Sequence, residues 1–399
     1  MIVWLPVAQT ALAEGVALTR EQHRDAWWIE ETLNRVNAVL DLFRQYLPWL
    51  LPEFAPLLLR LQLCESKKPA DLTLNRALRF AAELQSMLTG ASDSFPGEPS
   101  LQQLAARLDE MLSTALEHLR ALAEDLGKIE RTAERLAQET EFGFLVDPCR
   151  QILSIGYEMG KKKRHEACYD LIASEARIAT FLAIARGDLL QQSWGKLGRD
   201  HTRVHGRFLL LSWSGTMFEY LMPALWMRSY PGTLIARTQD VCAYVQRAFG
   251  TSLGIPWGIS ESASSKLNDR GHYHYFAYGL PSVSLWPEAA AGPVISPYST
   301  FLALTVDPPE AMRNLRRMES AGWVGPYGFY ESADYCVSSR KPVIVREWMA
   351  HHLGMSLLAI ANSLRDNVVQ QWFHAHPMIQ ATELLLRKFP STSQSLEPD

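Results

Sequence analysis

Residues 101–129 read LQQLAARLDEMLSTALEHLRALAEDLGKI. Apolar side chains recur at Leu101, Leu104, Leu108, Met111, Ala115, Leu119, Leu122, Leu126 and Ile129, close to the three-and-four spacing of one helix face. Ser100 precedes the run as an N-cap candidate. No polar core residue sets a register, so the stripe reads as a packing face in a helical bundle or barrel rather than a coiled-coil seam. SDSFPGEPS (92–100) forms a loop between this helix and another spanning Leu74 to Leu88.

Outward from that helix, the chain changes character near residue 140. Only four of the 23 glycines (Gly15, Gly90, Gly97, Gly127) and four of the 12 tryptophans lie before it. The N-terminal third therefore reads as plain helices, and the rest as helices joined by functional loops. Helices are expected over 166–186, 236–249, 309–321 and 346–366, with HYHYFAYG (272–279) and KPVIVREW (341–348) as the short strand candidates. The class is all-α, a toroid or bundle, with no 20–50-residue repeat.

The 399 residues carry a net charge of −4, with 47% hydrophobic and 21% charged residues. That composition excludes general disorder, and it lacks the basic footprint of a nucleic-acid binder. KKKR (161–164) reads as a solvated loop. Five cysteines, Cys64, Cys149, Cys168, Cys242 and Cys336, have neither metal-site nor disulfide-framework spacing and are expected as buried free thiols. No Lys or Arg precedes Arg20, so the start lacks the basic region of a secretory signal. PWLLPEFAPLLLRLQL (48–63) is broken by prolines, Glu53 and Arg60, so no membrane span is read there and a cytoplasmic location is expected.

No dinucleotide turn, P-loop, HExxH or nucleophile elbow occurs; SWSGT (212–216) lacks one flanking glycine of the last. Instead, three loops set a Glu near aromatics and glycines: SWSGTMFEYLMP (212–223), GIPWGISESAS (254–264) and GPYGFYESADY (325–335). Aromatic faces stack on sugar rings while acids bond hydroxyls, and glycoside chemistry needs two carboxyl groups. Glu261 and Glu331 are the best-placed pair. His272 and His274 would share a strand face, read as polar cleft contacts rather than a metal pair. His351 and His352 open a helix and are not read as part of a catalytic dyad.

At these loops the sequence resembles the glycoamylase-like, or cyclisation, domain of bacterial cyclic β-1,2-glucan synthases, glycoside hydrolase family 189. Eight ordered blocks carry the resemblance. They are FGFLVDPCRQILSIGY (142–157), CYDLIASEARIATFLAIARGD (168–188), LLSWSGTMFEYLMP (210–223), PWGISESAS (256–264), VISPYSTFLAL (294–304), GPYGFYESADY (325–335), MAHHLGMSLLAIANSL (349–364) and FHAHPMIQATELLL (373–386).

The resemblance implies an (α/α)-barrel over 140–390, a helical lead-in over 1–139 that packs on or completes it, and a disordered tail over 391–399. It implies a linear β-1,2-glucan substrate and retaining transglycosylation that closes a ring, with neither metal nor cofactor. Glu261 and Glu331 would be the essential carboxylates, their roles not yet divided. A pair acting directly would lie about 5–5.5 Å apart, and a water-mediated pair further. Trp213, Trp257, Tyr327, Tyr330 and Tyr335 would stack on sugars; Glu219, Asp334, His351 and His352 would bond hydroxyls or tune the acid. The chain departs from the family at FYESADY (family FYEAIDY), at HHLGMS (family HHQGMS) and in 280–292, where a more basic segment is replaced. The alternatives are an endo-β-1,2-glucanase and a non-catalytic glucan-binding relative. The length does not accommodate the glycosyltransferase of a full synthase, so a fragment, a split subunit partnering that enzyme at the inner membrane, or a stand-alone relative is expected.

Overall fold

The computed structural model describes residues 26–63, 73–89, 95, 98–287, 292–338 and 341–387. The expected tail, Cys64 and part of the 280–292 segment lie outside these residues. The chain divides into two units, Met1–Thr140 and Glu141–Asp399.

The first unit is helical: α1 (Ala26–Tyr46), α2 (Ala55–Arg60), α3 (Leu74–Thr89) and α4 (Pro99–Glu139). Both α1 and α3 pack on α4. Leu108, Ala115 and Leu119 of the predicted stripe are buried, joined by Leu84, Leu88 and Trp49. Beyond Leu119 the helix outruns this core, and Leu126 and Ile129 are exposed although they continue the stripe.

The second unit carries α5 (Arg177–Arg186), α6 (Ser193–Lys196), α7 (Met217–Leu221), α8 (Leu234–Leu253), α9 (Pro297–Leu302), α10 (Pro308–Ser320), α11 (Ala350–Leu364), α12 (Val368–Ala375) and α13 (Pro377–Thr382). Helices follow one another in contact: α7 with α8 and α9, α9 with α10 and α11, α11 with α12, α12 with α13. The last of these packs on α5, whose Arg177 donates to the Tyr220 carbonyl on α7, so the series returns to its start around one core, as in an (α/α)-barrel. Trp323, Tyr220, Phe181 and Leu209 are fully buried there. Each such side chain contributes roughly 1.5–3 kcal/mol by leaving water.

Local chemistry sets the helix ends. Thr233 Oγ1 accepts from Ala236 N–H at the start of α8, and Gly254 ends it at φ 68°. Asp307, followed by Pro308, caps α10. The expected helix over 166–186 is shorter, Arg177–Arg186, because the preceding backbone bonds elsewhere. Ser154 bridges Cys168, Leu171 bridges Gly198, and Ser174 Oγ accepts from Ala176 N–H. Cys168 and Cys242 are buried, but Cys149 and Cys336 are exposed, against the expectation for all five.

Short strands serve the loops. Hairpins form from β1 (Tyr157–Glu158) with β2 (Lys163–Arg164), β3 (His201–Val204) with β4 (Arg207–Leu210), and β5 (Ser262–Leu267) with β6 (Tyr273–Phe276). After β7 (Val294–Ile295), a further hairpin pairs β8 (Val324–Gly325) with β9 (Gly328–Phe329). Last come β10 (Ser332–Asp334) and β11 (Val343–Val345). They complete a three-stranded sheet ordered β11-β10-β7, with Ala333 opposite both Ile344 and Ile295. Both strand candidates in the sequence are strands, while β3, β4, β5 and β10 carried no alternation to announce them.

Candidate active site

Two amide side chains fix the loop that bears Glu261. Asn314 on α10 accepts from Trp257 N–H (3.1 Å) and donates to its carbonyl (2.8 Å). Gln246 on α8 does the same at Ile259, at 2.9 and 3.0 Å. Each amide thus satisfies one buried donor and one buried acceptor as a neighbouring strand would. Between them Gly258 has φ 123°, and a Cβ there would lie 2.6 Å from Ser299 Oγ. Only glycine lets this loop sit so close to α9.

The loop bearing Glu331 is held by its backbone. Glu331 N–H donates to Glu347 carbonyl (2.9 Å), and Ser296 Oγ donates to Glu331 carbonyl (2.7 Å). Ser332 Oγ donates to Ala263 carbonyl, tying β10 to β5.

Around these two loops a polar chain assembles. Glu331 is 4% exposed; its Oε1 accepts from Ala263 N–H (3.2 Å) and its Oε2 lies 2.8 Å from His352 Nδ1. His352, buried in the first turn of α11, meets Tyr275 Oη through Nε2 at 3.4 Å. With Nδ1–H donating to the carboxylate, Nε2 is the acceptor for the Tyr275 hydroxyl. Tyr298 stacks flat on the imidazole, centroids 3.7 Å apart and planes 12° apart. Its hydroxyl donates to the Glu261 carbonyl (3.0 Å) and bonds Ser260 Oγ (2.9 Å). Burial first, then the nearby Glu261 and Glu331 carboxylates, push the Tyr275 phenol up, so it stays a proton donor.

Glu261 differs from Glu331. Among the described residues its carboxyl group accepts no hydrogen bond. Burial raises its pKa above the ordinary carboxyl value, the Glu219 charge adds to that, and His352 opposes it. A carboxyl held in this way keeps its proton longer and suits an acid.

The cavity beside Glu331 has a volume of about 270 Å³ and includes Tyr298, Tyr327, Tyr330, Trp348 and His352. Tyr327 meets Trp348 edge-on at 5.2 Å and Tyr330 lies 5.1 Å from the same ring, making an aromatic wall. Leu353, where the resembled family carries Gln, lines the cavity too.

Other expected site residues lie apart from this group or have their polar atoms occupied. Both oxygens of Glu219 are used locally. Oε2 accepts from Ser212 Oγ, Thr216 N–H and Thr216 Oγ1 (2.9, 2.8 and 3.0 Å), and Oε1 accepts from Ser214 N–H (3.0 Å). Glu219 is the third residue of a capping box for α7, so it influences Glu261 by charge instead of bonding a sugar. Asp334, 1% exposed, accepts from Ser265 N–H and Oγ and from Cys336 N–H. Burial would raise its pKa, but these hydrogen bonds prevail and hold it below the usual range. Trp257 and Tyr335 are buried in the core. Trp213 packs on Tyr169 and donates to Asp170 (3.2 Å). His351 is exposed beside His352, and burial together with His352 lowers its pKa. His274 stacks on Phe276 at the strand face, and His272 precedes the strand. Among the described residues no three His, Cys, Asp or Glu side chains are grouped to hold a metal ion.

The reading from sequence missed Glu175, Tyr275, Tyr298 and Trp348. Glu175 has a buried, unpartnered Oε2, and its pKa rises to about 7 through burial, then through the Glu219 and Glu261 charges. Its signal was SEAR inside the 168–188 block; Tyr275 is the last residue of HYHY (272–275), a motif read for its histidines.

The family model described as a putative glucoamylase matches residues 168–377, more than half the chain, and spans every group just described. The chain belongs to this glycoamylase family. It is 40% identical over 294 residues to the cyclic β-(1,2)-glucan synthase NdvB of Rhizobium meliloti, covering 69% of this chain and 10% of that protein. The chain therefore matches about a tenth of the synthase's length. Among solved structures, a mutant endo-β-1,2-glucanase of Talaromyces funiculosus with β-1,2-glucan aligns at TM-score 0.48 and 11% identity. That alignment covers 80% of this chain and 64% of that one. The same enzyme with sophorose aligns at TM-score 0.42 and 12% identity, with the same coverage. No helix among the described residues is long and apolar enough to cross a membrane.

Proposed function

We propose that this glycoamylase-family chain transfers glycosyl groups within linear β-1,2-glucan, with Glu331 as nucleophile and Glu261 as acid and base. The observation that carries this is the unequal treatment of the two carboxyls. Glu331 is oriented by His352 and the Ala263 N–H, whereas Glu261 stands unbonded with a raised pKa. Two carboxyl groups in different environments take different roles in glycoside cleavage.

In the first step Glu331 forms a bond to the anomeric carbon while the bond to the leaving oxygen breaks, and Glu261 gives its proton to that oxygen. In the second step Glu261 takes the proton of an acceptor hydroxyl, whose oxygen displaces Glu331. When the acceptor is the free end of the same glucan, a ring closes; when it is water, the chain is hydrolysed. His352 and Tyr275 hold Glu331 in line, and the wall of Tyr327, Tyr330 and Trp348 receives sugar rings. The catalytic region lies within 140–390. The linear substrate would come from a glycosyltransferase, as a separate subunit or domain.

The test is incubation of the purified chain with linear β-1,2-glucan, followed by separation of products by size and by resistance to exo-glucosidase. Resistant cyclic products are expected. Short reducing oligomers would replace transfer with hydrolysis, and unchanged glucan that still binds would make this chain a glucan-binding module.

A further inference from the structure

A second cavity, of about 340 Å³, shares no lining residue with the Glu331 cavity. Its charged lining is cationic, Arg177, Arg199 and Arg228, beside the neutral polar groups of Ser229, Tyr230 and Thr233. Arg177 is 4% exposed, and its guanidinium donates to the carbonyls of Ser174 (3.2 Å) and Tyr220 (3.3 Å). Arg199 donates to the carbonyls of Gly195 (3.1 Å), Trp194 (3.0 Å) and Leu197. All these partners are neutral. Buried guanidinium groups ordinarily pair with carboxylates, because an uncompensated charge is costly away from water. Burial lowers Arg177 to about 9 and moves Arg199 below its usual range, and only the Glu175 charge supports Arg177. At neutral pH both remain cations.

The third arginine shares its counter-charge. Glu383 Oε1 lies 3.4 Å from Arg228 and 3.5 Å from Arg387, and 3.4 Å from His374 Nδ1. The surplus is felt nearby: burial, then Arg228 and Arg387, bring His374 down to about 4, so it adds no charge at neutral pH. Arg387 lies over the Tyr230 ring, 4.7 Å from its centroid. The Tyr230 hydroxyl itself is buried with no hydrogen-bond partner among the described residues. A buried phenol usually finds a partner, so this one awaits an acceptor. The rest of the lining includes Ile172, Trp194 and Leu385, an apolar surface no inorganic ion would use.

We infer that this cavity is a second ligand site, separate from the glycosyl-transfer centre, for a small organic oxyanion on an apolar body. A carboxylate or phosphate head would be received by Arg228, Arg199, Arg177 and the Tyr230 hydroxyl. The apolar body would lie against Ile172, Trp194 and Leu385. Forked guanidinium donors pair bidentately with two oxygens of a carboxylate or a phosphate, and the cavity is of ligand size.

The test is calorimetric titration of the full chain with phenyl phosphate, phenylacetate, inorganic phosphate and the neutral 2-phenylethanol. Phenyl phosphate or phenylacetate is expected to bind at least about tenfold tighter than the neutral alcohol or inorganic phosphate. Whichever aromatic anion binds tighter identifies the head group. Arg228→Gln and Tyr230→Phe should each weaken that binding by about tenfold or more. Tyr230→Phe should leave the ligand-free melting temperature unchanged or higher, since it removes an unpartnered hydroxyl, which separates lost binding from lost folding. Neither variant should alter glucan turnover. Absence of binding by both aromatic anions would overturn the inference, as would equal binding of the alcohol, or wild-type affinity in both variants.

Discussion

Loop 212–223 and loop 325–335 look alike as sequence: each sets one Glu among glycine, Ser and aromatic side chains. Folded, they do opposite things. Glu219 is enclosed by four hydrogen bonds from its own loop and starts a helix. Glu331 takes one bond from a strand 68 positions away and one from His352 on another helix, and it borders a cavity. A carboxylate enclosed by local N–H and O–H groups has most of its accepting capacity committed to its own loop. One held by distant elements is oriented while its residue still borders a cavity. Glu261 is a third case, half-buried and unbonded among the described residues. The partners of a Glu, more than the residue types around it, separate a cap from a candidate catalytic acid.

The largest expected effect tests that division at Glu331. Glu331→Gln should lower turnover of β-1,2-glucan on the order of 10⁴-fold while leaving glucan binding nearly intact. Glu219→Gln, assayed below its melting temperature, should stay within about tenfold of wild type. Equal losses in both variants would erase the distinction between the two loops.

Next comes Glu261→Gln, with an expected loss of about 10²–10⁴-fold. A glucoside with an acidic phenol as leaving group needs no proton and should recover most of the first step in this variant, but not in Glu331→Gln. The wild-type profile should also hold its activity above the ordinary carboxyl range and decline once pH exceeds the raised pKa of Glu261. A decline already complete at the ordinary carboxyl value would remove Glu261 as the acid.

Glu175 allows a test without substrate. Its pKa rises from 4.5 to about 7 on folding, so between those values the folded chain keeps a proton that the unfolded chain releases. Stability should therefore fall as pH rises through that window, by at most about 3 kcal/mol, and Glu175→Gln should flatten the fall. Denaturant unfolding at a series of pH values measures it. An unchanged slope would mean that Glu175 is not the group holding the proton.

At Glu219 the expectation concerns folding and a neighbour together. An amide cannot accept four hydrogen bonds in the same directions, so Glu219→Gln should destabilise by about 1–3 kcal/mol. Removing its charge should also move the basic limb of the activity profile to lower pH, because that charge raises the Glu261 pKa. A destabilised variant with an unmoved limb would sever the link between cap and acid.

Much of this was legible, for physical reasons that differ by position. The 3.6-residue period of 101–129 predicts α4 because a helix face repeats locally, yet burial stops at Leu119 where the partner helices run out. The Glu219 cap was legible too, since Thr216 and Glu219 have the Thr-x-x-Glu spacing of a capping box, a signal passed over for the aromatic pattern. Glu261 and Glu331 stood out from the Glu, aromatic and glycine pattern of their loops, and the family resemblance pointed to the same pair. The roles proposed for them were not legible, because the groups that treat the two carboxyls differently, His352, Ala263, Tyr275 and Glu219, come from separate segments. The failure over 166–176 is of the same kind. Those residues have helical composition, but Gly198 and Ser154 capture their backbone, and that displaced segment carries Glu175 toward Glu261.

The smallest effect should come from the edge of the aromatic wall. Tyr327 is 72% exposed and touches Trp348 only edge-on, whereas Tyr330 packs between that ring and the backbone of Gly325. An exposed ring at a cavity rim stacks on a sugar without burying much new area, so its share of binding is modest. Tyr327→Ala should raise KM a few-fold, about 1 kcal/mol of binding, with kcat unchanged, since stacking at the rim is made equally in ground and transition states. Tyr330→Ala should lower kcat as well, because Tyr330 directly precedes Glu331 and its packed ring anchors that loop. If the two substitutions gave the same split between KM and kcat, the wall would be a uniform surface, and position relative to Glu331 would not decide what each aromatic contributes.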